Sequence, residues 1–419
     1  MNTLNTTNTT MNNTDSILAS AVQKVADIRD YLNLRFIDRG LQIEMLLTGA
    51  ISGENTVFIG PGGTAKSMMI REILAFFYPD RNWFYQFSPF TTTKDVIGVL
   101  DTEELLNTGK RRVHTKGRIT DPRVAGAGCD EIFKTSPEVF DSLMMILNER
   151  EALLEGDDVP RHLHLEAVFA ASNELPHGFG GRRKAANDLA AFWDRWVIRG
   201  FIEDNMTTDD LVNLARMQLA EPPRPDALTD EERHALMEAA WNVAFNDKNA
   251  LFQAKELAKG KGLVVSTRRV LKLLHVARSH AMMEGRTACS LADYKFAIKV
   301  GFWTDTPDLE KVAEILPELG SKADQALADW HAELRKATAS WQNEAAAAQS
   351  LEDFNAAAAE LKAEGKLIHQ AFVEINKADL SEPLAYEEAK AALEEWKNAR
   401  ALEYSEGLSR FKPSDDLFG

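Results

Sequence analysis

Cysteine is nearly absent: Cys129 and Cys289 are the only two in 419 residues. They are far apart, and neither has a neighbour at metal-ligand spacing. That excludes a disulfide scaffold and a cysteine-based zinc site, and it predicts reduced thiols in a cytoplasmic setting. No run of about 18 apolar residues occurs, so no transmembrane helix is expected. The opening segment MNTLNTTNTTMNNTDS lacks the apolar centre of a secretory signal. Its polarity predicts a disordered leader over residues 1–16. Basic excess is also missing, with 48 Lys and Arg against 64 Asp and Glu and a net charge of −16. That argues against a generally basic nucleic-acid surface, although a local patch can sit inside an acidic total. About half of the acidic excess lies beyond residue 320, so the two ends of the chain differ in character.

What is present is ordinary globular material, 45% hydrophobic and 27% charged, at a length that fits two or three domains. Residues 17–53 carry apolar positions at helical spacing. From Thr56 to about Ile202, short apolar runs (TVFIG, FYQFS, AVFAAS, WVIRGFI) alternate with helical stretches. This predicts an α/β core over 17–205, a mostly parallel sheet covered by helices. A helical unit is expected over 206–320, entered through AEPPRPDALTDEE. Beyond residue 321, Leu327, Trp330, Leu334, Ala337 and Trp341 recur at three- and four-residue steps. So do Leu351, Phe354, Ala358, Leu361, Gly365, Ile368, Phe372 and Ile375, and then Tyr386, Ala389, Leu393 and Trp396. Breaks near Gln349 and Pro383 divide these stripes into two or three antiparallel helices with aromatic residues in their core. Residues 321–419 are thus expected to form an acidic all-α hairpin or coiled-coil region.

The stretch GPGGTAKS joins the strand-like TVFI to the helix-like MMIREILAFF. A phosphate loop needs small residues so that backbone N–H groups can wrap anionic oxygens. It also needs a lysine for the β- and γ-phosphates and a hydroxyl for Mg²⁺. Gly60, Pro61, Gly62, Gly63, Thr64 and Ala65 form the turn, and Lys66 and Ser67 follow at a helix start whose dipole favours anions. Ala65 departs from the pattern, where glycine is usual. A glycine-rich turn without a ligand is the plainer alternative, and the strand before and helix after weigh against it. Downstream, VAGAGCDEI places Asp130 to hold Mg²⁺ and Glu131 to orient or deprotonate the attacking water. AVFAASNELP reads as a strand ending in Asn173, whose amide would orient water beside the γ-phosphate. A simple turn asparagine is the alternative there.

These residues resemble the MoxR group of AAA+ ATPases, and within it most closely the RavA subfamily. The resemblance rests on GENTVFIGPGGTAKS, FSPFTTTKDVIGVLD, DEIFKTSPEVFDSLMMILNERE, AASNELP, WDRWVIRGFIED and VVSTRRVLKLLHVAR, in order over roughly residues 20–320. It implies a P-loop core with an α-helical lid, ATP and Mg²⁺ as cofactors, and a homohexameric ring. It matches Lys66 and Ser67 to Walker A, Asp130 and Glu131 to Walker B, and Asn173 to sensor 1. Arg195 falls where the family places an arginine finger, which acts on ATP bound by the neighbouring subunit; Arg199 and Arg150 compete for the role. Arg268 matches sensor 2 on a lid helix, with Arg269 adjacent, so ATP would bind between core and lid. RavA-like proteins also tend to carry alanine at the position of Ala65.

Two family insertions are implied. TTTKDVIGVLDTEELLNTGKRRVHTKGRI would hold the insertion in the second helix, with a basic, hairpin-like centre. EREALLEGDDVPRHLHLEAV would be the β-hairpin before sensor 1, and there His162 and His164 share a strand face that the hairpin alternation explains without a metal. Such insertions project toward the ring face or pore in this clade. Residues 177–190, HGFGGRRKAANDLA, are longer and more basic than the family pattern. The region after residue 320 does not resemble the partly β insertion of RavA proteins, so partners bound through that insertion are not implied. The expected activity is ATP hydrolysis by a chaperone-like ring that remodels or activates a protein complex, with a von Willebrand factor A domain partner and a protein client. A nucleic-acid motor with a pore lined by Lys110, Arg111, Arg112 and Arg118 is one alternative. A slow ATP-binding switch is another, against which the set Lys66, Asp130, Glu131 and Asn173 argues. For the C-terminal helices, partner docking is expected over oligomerisation or lid extension.

Overall fold

The computed structural model describes residues 4–109, 111–155, 157–174, 191–204, 222–245, 250–320, 322–348, 350–375, 377 and 383–409. Two helices come first, α1 (Leu4–Arg35) and α2 (Gly40–Ser52). Residues 4–16, expected as a disordered leader, are helical as the start of α1. Asparagine and threonine are weak helix formers. The helix nevertheless extends from a packed segment in which Ala21, Val25, Ile28 and Leu32 are buried, so the costly nucleus is already formed.

The core sheet follows. Its strands are β1 (Thr56–Ile59), β2 (Asn82–Gln86), β5 (Gly126–Asp130), β8 (Ala167–Ser172) and β9 (Ile198–Phe201), in the spatial order β2-β5-β8-β1-β9. Every neighbouring pair is parallel. β1 and β8 are buried at every position, as a sheet covered on both faces requires. Helix α3 (Lys66–Phe77) packs on one face, and β5 lies close beneath it because the strand is built from small residues. A Cβ at Gly128 would stand 2.5 Å from the Phe84 ring and 2.9 Å from Leu74. The register sets Gln86 beside Asp130, and Ile59 beside Ser172. All the strand ends that carry candidate site residues therefore share one edge.

Two excursions leave the core where the insertions were expected. Between β2 and β5 lie α4 (Thr93–Val96), β3 (Val99–Leu100), α5 (Thr102–Thr108) and β4 (Val113–His114), with β3 and β4 antiparallel. Between α6 (Pro137–Glu149) and β8, the short strands β6 (Glu151–Ala152) and β7 (Arg161–His162) make an antiparallel hairpin.

The helical unit consists of α7 (Asp230–Asn242), α8 (Ala250–Gly260), α9 (Thr267–Met283), α10 (Leu291–Gly301) and α11 (Thr306–Ile315). Residues 205–221, where its expected boundary falls, lie outside the described residues. One hydrophobic core runs from Ala21 to Leu319 through the sheet and these helices. Helices α12 (Lys322–Ala347), α13 (Leu351–Val373) and α14 (Pro383–Ser409) then form an all-α region with two small cores of its own. The three stripes face each other as expected, through Leu327, Trp330 and Trp341, through Phe354, Ile368 and Phe372, and through Ala389 and Leu393. Leu351, counted in a stripe, is instead 44% exposed at the first turn of α13.

A buried polar cluster ties α9 to α10. The Asp293 carboxylate accepts from Arg286 Nη1 at 2.6 Å, from His280 Nδ1 at 2.6 Å, and from the Ser290 amide at 2.6 Å. Burial alone would lower the His280 pKa, but Asp293 and the nearby Glu44 outweigh it and lift it from 6.5 to about 9. A raised histidine contributes stability that is full below about pH 6.5 and is lost as pH rises through about 9. Thermal unfolding should therefore show the chain losing on the order of 2 kcal/mol between pH 7 and pH 10 from this group. The loss should be visibly smaller in His280→Gln. Equal slopes in the two proteins would contradict this assignment.

Candidate nucleotide site

The loop after β1 is shaped by close backbone approach. A Cβ at Gly60 would fall 2.2 Å from the Ile202 carbonyl, so only glycine fits where the loop leaves the sheet. Ala65 sits in the left-handed region at φ 62°, immediately before α3. This is the position where glycine is usual, and the backbone keeps the glycine-like conformation with a side chain present, at a cost of about 1 kcal/mol. Thr64 Oγ1 closes the turn by donating to the Pro61 carbonyl at 2.9 Å.

Lys66 is 6% exposed. Its Nζ donates to Gly60 O at 2.8 Å, Pro61 O at 2.6 Å, Thr64 Oγ1 at 3.3 Å and Asn173 Oδ1 at 3.0 Å. All four acceptors are neutral oxygens. Burial pulls its pKa below the ordinary lysine value, and the charges of Glu131 and Asp130 only partly oppose that. A buried ammonium compensated only by dipoles, at a helix N-terminus beside a loop of small residues, suits a polyphosphate. A Cβ at Gly63 would meet nothing within 4 Å, so the loop leaves room for one. Ser67 is half-buried at the second position of α3. Its hydroxyl, with the Asp130 carboxylate at the end of β5, is the donor set a hard divalent cation takes. The residues thus fit a Mg²⁺-nucleotide.

Glu131 adopts a left-handed backbone at φ 53°, a strained conformation for a residue of its kind. It bends the chain out of β5 and sends its carboxylate toward β8. There Asn173 Nδ2 donates to Glu131 Oε1 at 2.7 Å, while Asn173 Oδ1 accepts from Lys66. One side-chain amide therefore spans the carboxylate and the ammonium. Lys134, which the sequence reading passed over, pairs with Glu131 Oε1 at 3.2 Å. Its spacing of three residues from Glu131 in DEIFK was the available signal.

The arginines lie elsewhere. Asn55, also passed over, stands at the N-terminal end of β1 and donates to Leu147 O and Arg195 O, both at 2.9 Å. It fixes the residues before β9 to the end of α6. Arg195 is half-buried, donates through Nη1 to the Ala191 carbonyl, and keeps Nε without a partner. Burial lowers its pKa, and the charge of Arg268 lowers it further. Arg268 is exposed and hydrogen-bonds Asn148 at the end of α6. One turn on, Lys272 pairs with Glu54 at 2.7 Å. Arg195 and Arg268 thus gather at the N-terminal edge of the sheet, whereas Lys66 is at the opposite edge. The span from Glu54 to Gly60 is about 20 Å at strand rise. Helix α9 packs against α2, α7 and α10, and Arg268, expected as sensor 2, meets Asn148 at the end of α6.

Both competitors of Arg195 are structural. Arg199 is 2% exposed, gives its guanidinium to the carbonyls of Trp196, Trp303 and Trp193, and lies over the Trp193 ring. Arg150 binds the carbonyls of Ile146, Leu147 and Gly53. Arg269 is likewise committed, pairing with Asp194 at 2.5 Å and with Gly301 O at 3.2 Å.

Of the basic strip in the first insertion, Lys110 lies outside the described residues. Arg112 pairs with Glu104, and Arg118 donates to the Lys94 carbonyl. His162 and His164 are exposed while Leu163 and Leu165 are buried, the alternation expected of the hairpin. Residues 177–190 are outside the described residues, and among the described residues no helix is long and apolar enough to cross a membrane.

The parallel sheet with its strand-to-helix phosphate loop and helical unit is the AAA+ fold. A crystal structure of a candidate ATPase from Cytophaga hutchinsonii superposes on 73% of this chain and 97% of its own, with a TM-score of 0.57 at 15% identity. Residues 23–221 match the family described as the MoxR domain in the MoxR-vWA-beta-propeller ternary systems. That match covers just under half of the chain, and the superposition shows a shared fold. Two uncharacterized proteins of Methanocaldococcus jannaschii are 28% and 29% identical to it, over 74% and 68% of this chain and 78% and 73% of theirs. A structural protein of Acidianus two-tailed virus is 26% identical over 66% of this chain, which spans about half (49%) of that protein.

The division between buried and half-buried arginines has a measurable consequence. Arg199→Ala should destabilise the chain by about 3 kcal/mol, because three buried carbonyls lose their donor. Arg195→Ala should change stability by less than about 1 kcal/mol. Denaturant midpoints of the two variants test this, and similar midpoints would contradict it.

Proposed function

We propose that the chain is a Mg²⁺-dependent ATPase that works as a ring and remodels or activates a protein complex. The observation that carries this reading is the chain of contacts Lys66–Asn173–Glu131, which joins the phosphate loop to the carboxylate that follows β5. ATP supplies a phosphoanhydride whose hydrolysis releases the free energy for the work. Lys66 would exchange its neutral acceptors for phosphate oxygens. Ser67 and Asp130 would hold Mg²⁺, and Glu131 would take the proton of the attacking water. Asn173 would keep Glu131 aimed and report the state of the phosphate end to it.

Arg195 and Arg268 sit together at the other edge of the sheet, two like charges that Asp194 and Glu149 offset only in part. Such a pair suits an anion supplied from outside the subunit. We read Arg195 as an arginine finger and Arg268 as its companion, both acting on the nucleotide of the next subunit in a ring of six. The likeness of residues 23–221 to MoxR domains of MoxR-vWA systems supports a von Willebrand factor A domain partner and a protein client. Alanine at position 65 fits a RavA-like subtype. The buried, unbridged Cys129 and Cys289 support a cytoplasmic setting as part of this reading.

Glu131→Gln should lower phosphate release by at least about 100-fold while nucleotide binding persists. With ATP it should also hold the complex together long enough to recover a von Willebrand-type protein by affinity purification and mass spectrometry. Turnover near that of the unaltered protein would rule out Glu131 as the base, and recovery of DNA with replication proteins would replace the remodelling role by a nucleic-acid motor.

A further inference from the structure

The C-terminal helices carry about half of the chain's acidic excess, yet one groove among them is cationic. It lies between α13 and α14 with a volume of about 840 Å³. Its lining contains Lys362, Lys366, Lys397 and Arg400 and no acidic residue, although Lys397 and Arg400 pair with Glu394 and Glu403 beside it, which leaves Lys362 and Lys366 as its exposed cations. Lys362, Lys366 and His369 recur at helical spacing, so one face of α13 presents them together, and all three are exposed. The opposite face of α13 borders a second groove, against α12, rimmed by Asp329, Glu333, Glu364 and Glu374. Of these acidic residues Glu364 belongs to α13, on a different face from Lys362 and Lys366.

The floor of the cationic groove is apolar and shaped for a ridge. Gly365 lies at its centre, and the Trp396 ring stands 3.3 Å from where a Cβ there would be, so Trp396 rests against the helix backbone. A glycine inside a helix costs about 1 kcal/mol, and here it admits the Trp396 ring against the backbone of α13. Arg400 pairs through Nη2 with Glu403 at 2.7 Å, but its Nε and Nη1 have no hydrogen-bond partner. Leaving buried donors unmade is unfavourable, and a small rotation of this long side chain would offer them to an arriving carboxylate. The aromatic groups are spent within the bundle. Trp341 is buried and donates to Glu403, Trp396 donates to Thr338, and Tyr404 stacks on Phe354 at 5.6 Å between centroids. They are not free stacking platforms, which disfavours nucleotide bases.

We propose that the groove between α13 and α14 docks an acidic amphipathic helix of a partner protein. The partner's apolar stripe lies along Ala358, Leu361 and the Trp396 ring, and its carboxylates meet Lys362, Lys366 and Arg400. This site is independent of the nucleotide-site reading, since its residues belong to a separate core.

The test uses the full chain and a fluorescein-labelled designed peptide of about 20 residues, long enough to be helical, with leucines at one seam and glutamates beside it. Binding is followed by anisotropy, with the same peptide carrying lysine for glutamate and a thymidine oligonucleotide as comparison probes. The acidic peptide should bind, more weakly as salt rises. Lys362→Glu with Lys366→Glu should weaken it at least about tenfold, while Asp329→Lys with Glu333→Lys on the other groove should not weaken it. Unchanged circular dichroism and unfolding midpoints confirm that both variants fold. Failure of the acidic peptide to bind, or binding indifferent to the first pair of reversals, overturns the proposal. So does oligonucleotide binding with the same sensitivity, which would make the groove a nucleic-acid site. So does a fall in molar mass by light scattering in the Lys362/Lys366 variant, which would make the occupant a second copy of this chain.

Discussion

The amide of Asn173 is the contact on which the site depends. It accepts from Lys66 and donates to Glu131, and so it fixes the tips of β1, β5 and β8 relative to one another. That is possible because the strands are parallel and in the order that sets β8 between β5 and β1, which brings their C-terminal ends to one edge. The parallel sheet in turn requires helices on both faces and nearly featureless apolar strands. The small residues of β5 follow from the same demand, since Gly128 admits the Phe84 ring and Leu74. The strain at Glu131 and at Ala65 is what remains after the scaffold has placed a carboxylate and a lysine beside the same amide.

The opposite edge of the sheet has a complementary logic. Asn55 binds the end of α6 to the residues before β9, and Arg199 and Arg269 lock the tryptophan-rich turn to the helical unit. These buried groups make a rigid mount, and Arg195 and Arg268 project from it. A subunit therefore holds its phosphate loop at one edge and a pair of cations at the other. Such a molecule cannot bring the two together by itself without reorganising its core. In the proposed ring, head-to-tail stacking would bring the loop of one copy to the cations of the next, a heterologous contact that closes when the rotation allows it.

Much of this was legible in the sequence, and for physical reasons. The alternation of TVFIG, AVFAAS and WVIRGFI with helical stretches reports burial on two faces, so the parallel sheet followed. The phosphate loop, Asp130, Glu131 and Asn173 could be placed because each stands at a strand end, where a short apolar run stops. The seams of α12, α13 and α14 were visible as stripes, apart from Leu351, which lies at a helix start beyond the packed seam. The position of Arg268 was not legible. The pattern of α9 reports which face is buried, not which neighbour covers it, and the choice is made by α2, α7 and α10. The same limit hid Asn55, an ordinary turn residue in sequence whose amide holds together elements 92 and 140 residues away. It also left Arg199 and Arg150 as competitors of Arg195, and Arg269 beside Arg268, until burial separated mounts from projecting groups.

The central claim is that Arg195 completes the nucleotide site of a neighbouring subunit. Mixing two inactive proteins tests it most directly. Lys66→Ala lacks a working phosphate loop but keeps its arginines, and Arg195→Ala has the reverse defect. The account predicts that each alone hydrolyses ATP at background, and that mixed rings regain a substantial fraction of the activity, rising and falling with the mixing ratio. A mixture that stays at background while the subunits demonstrably co-assemble would contradict it, and would return Arg195 to the role of a surface residue of its own subunit.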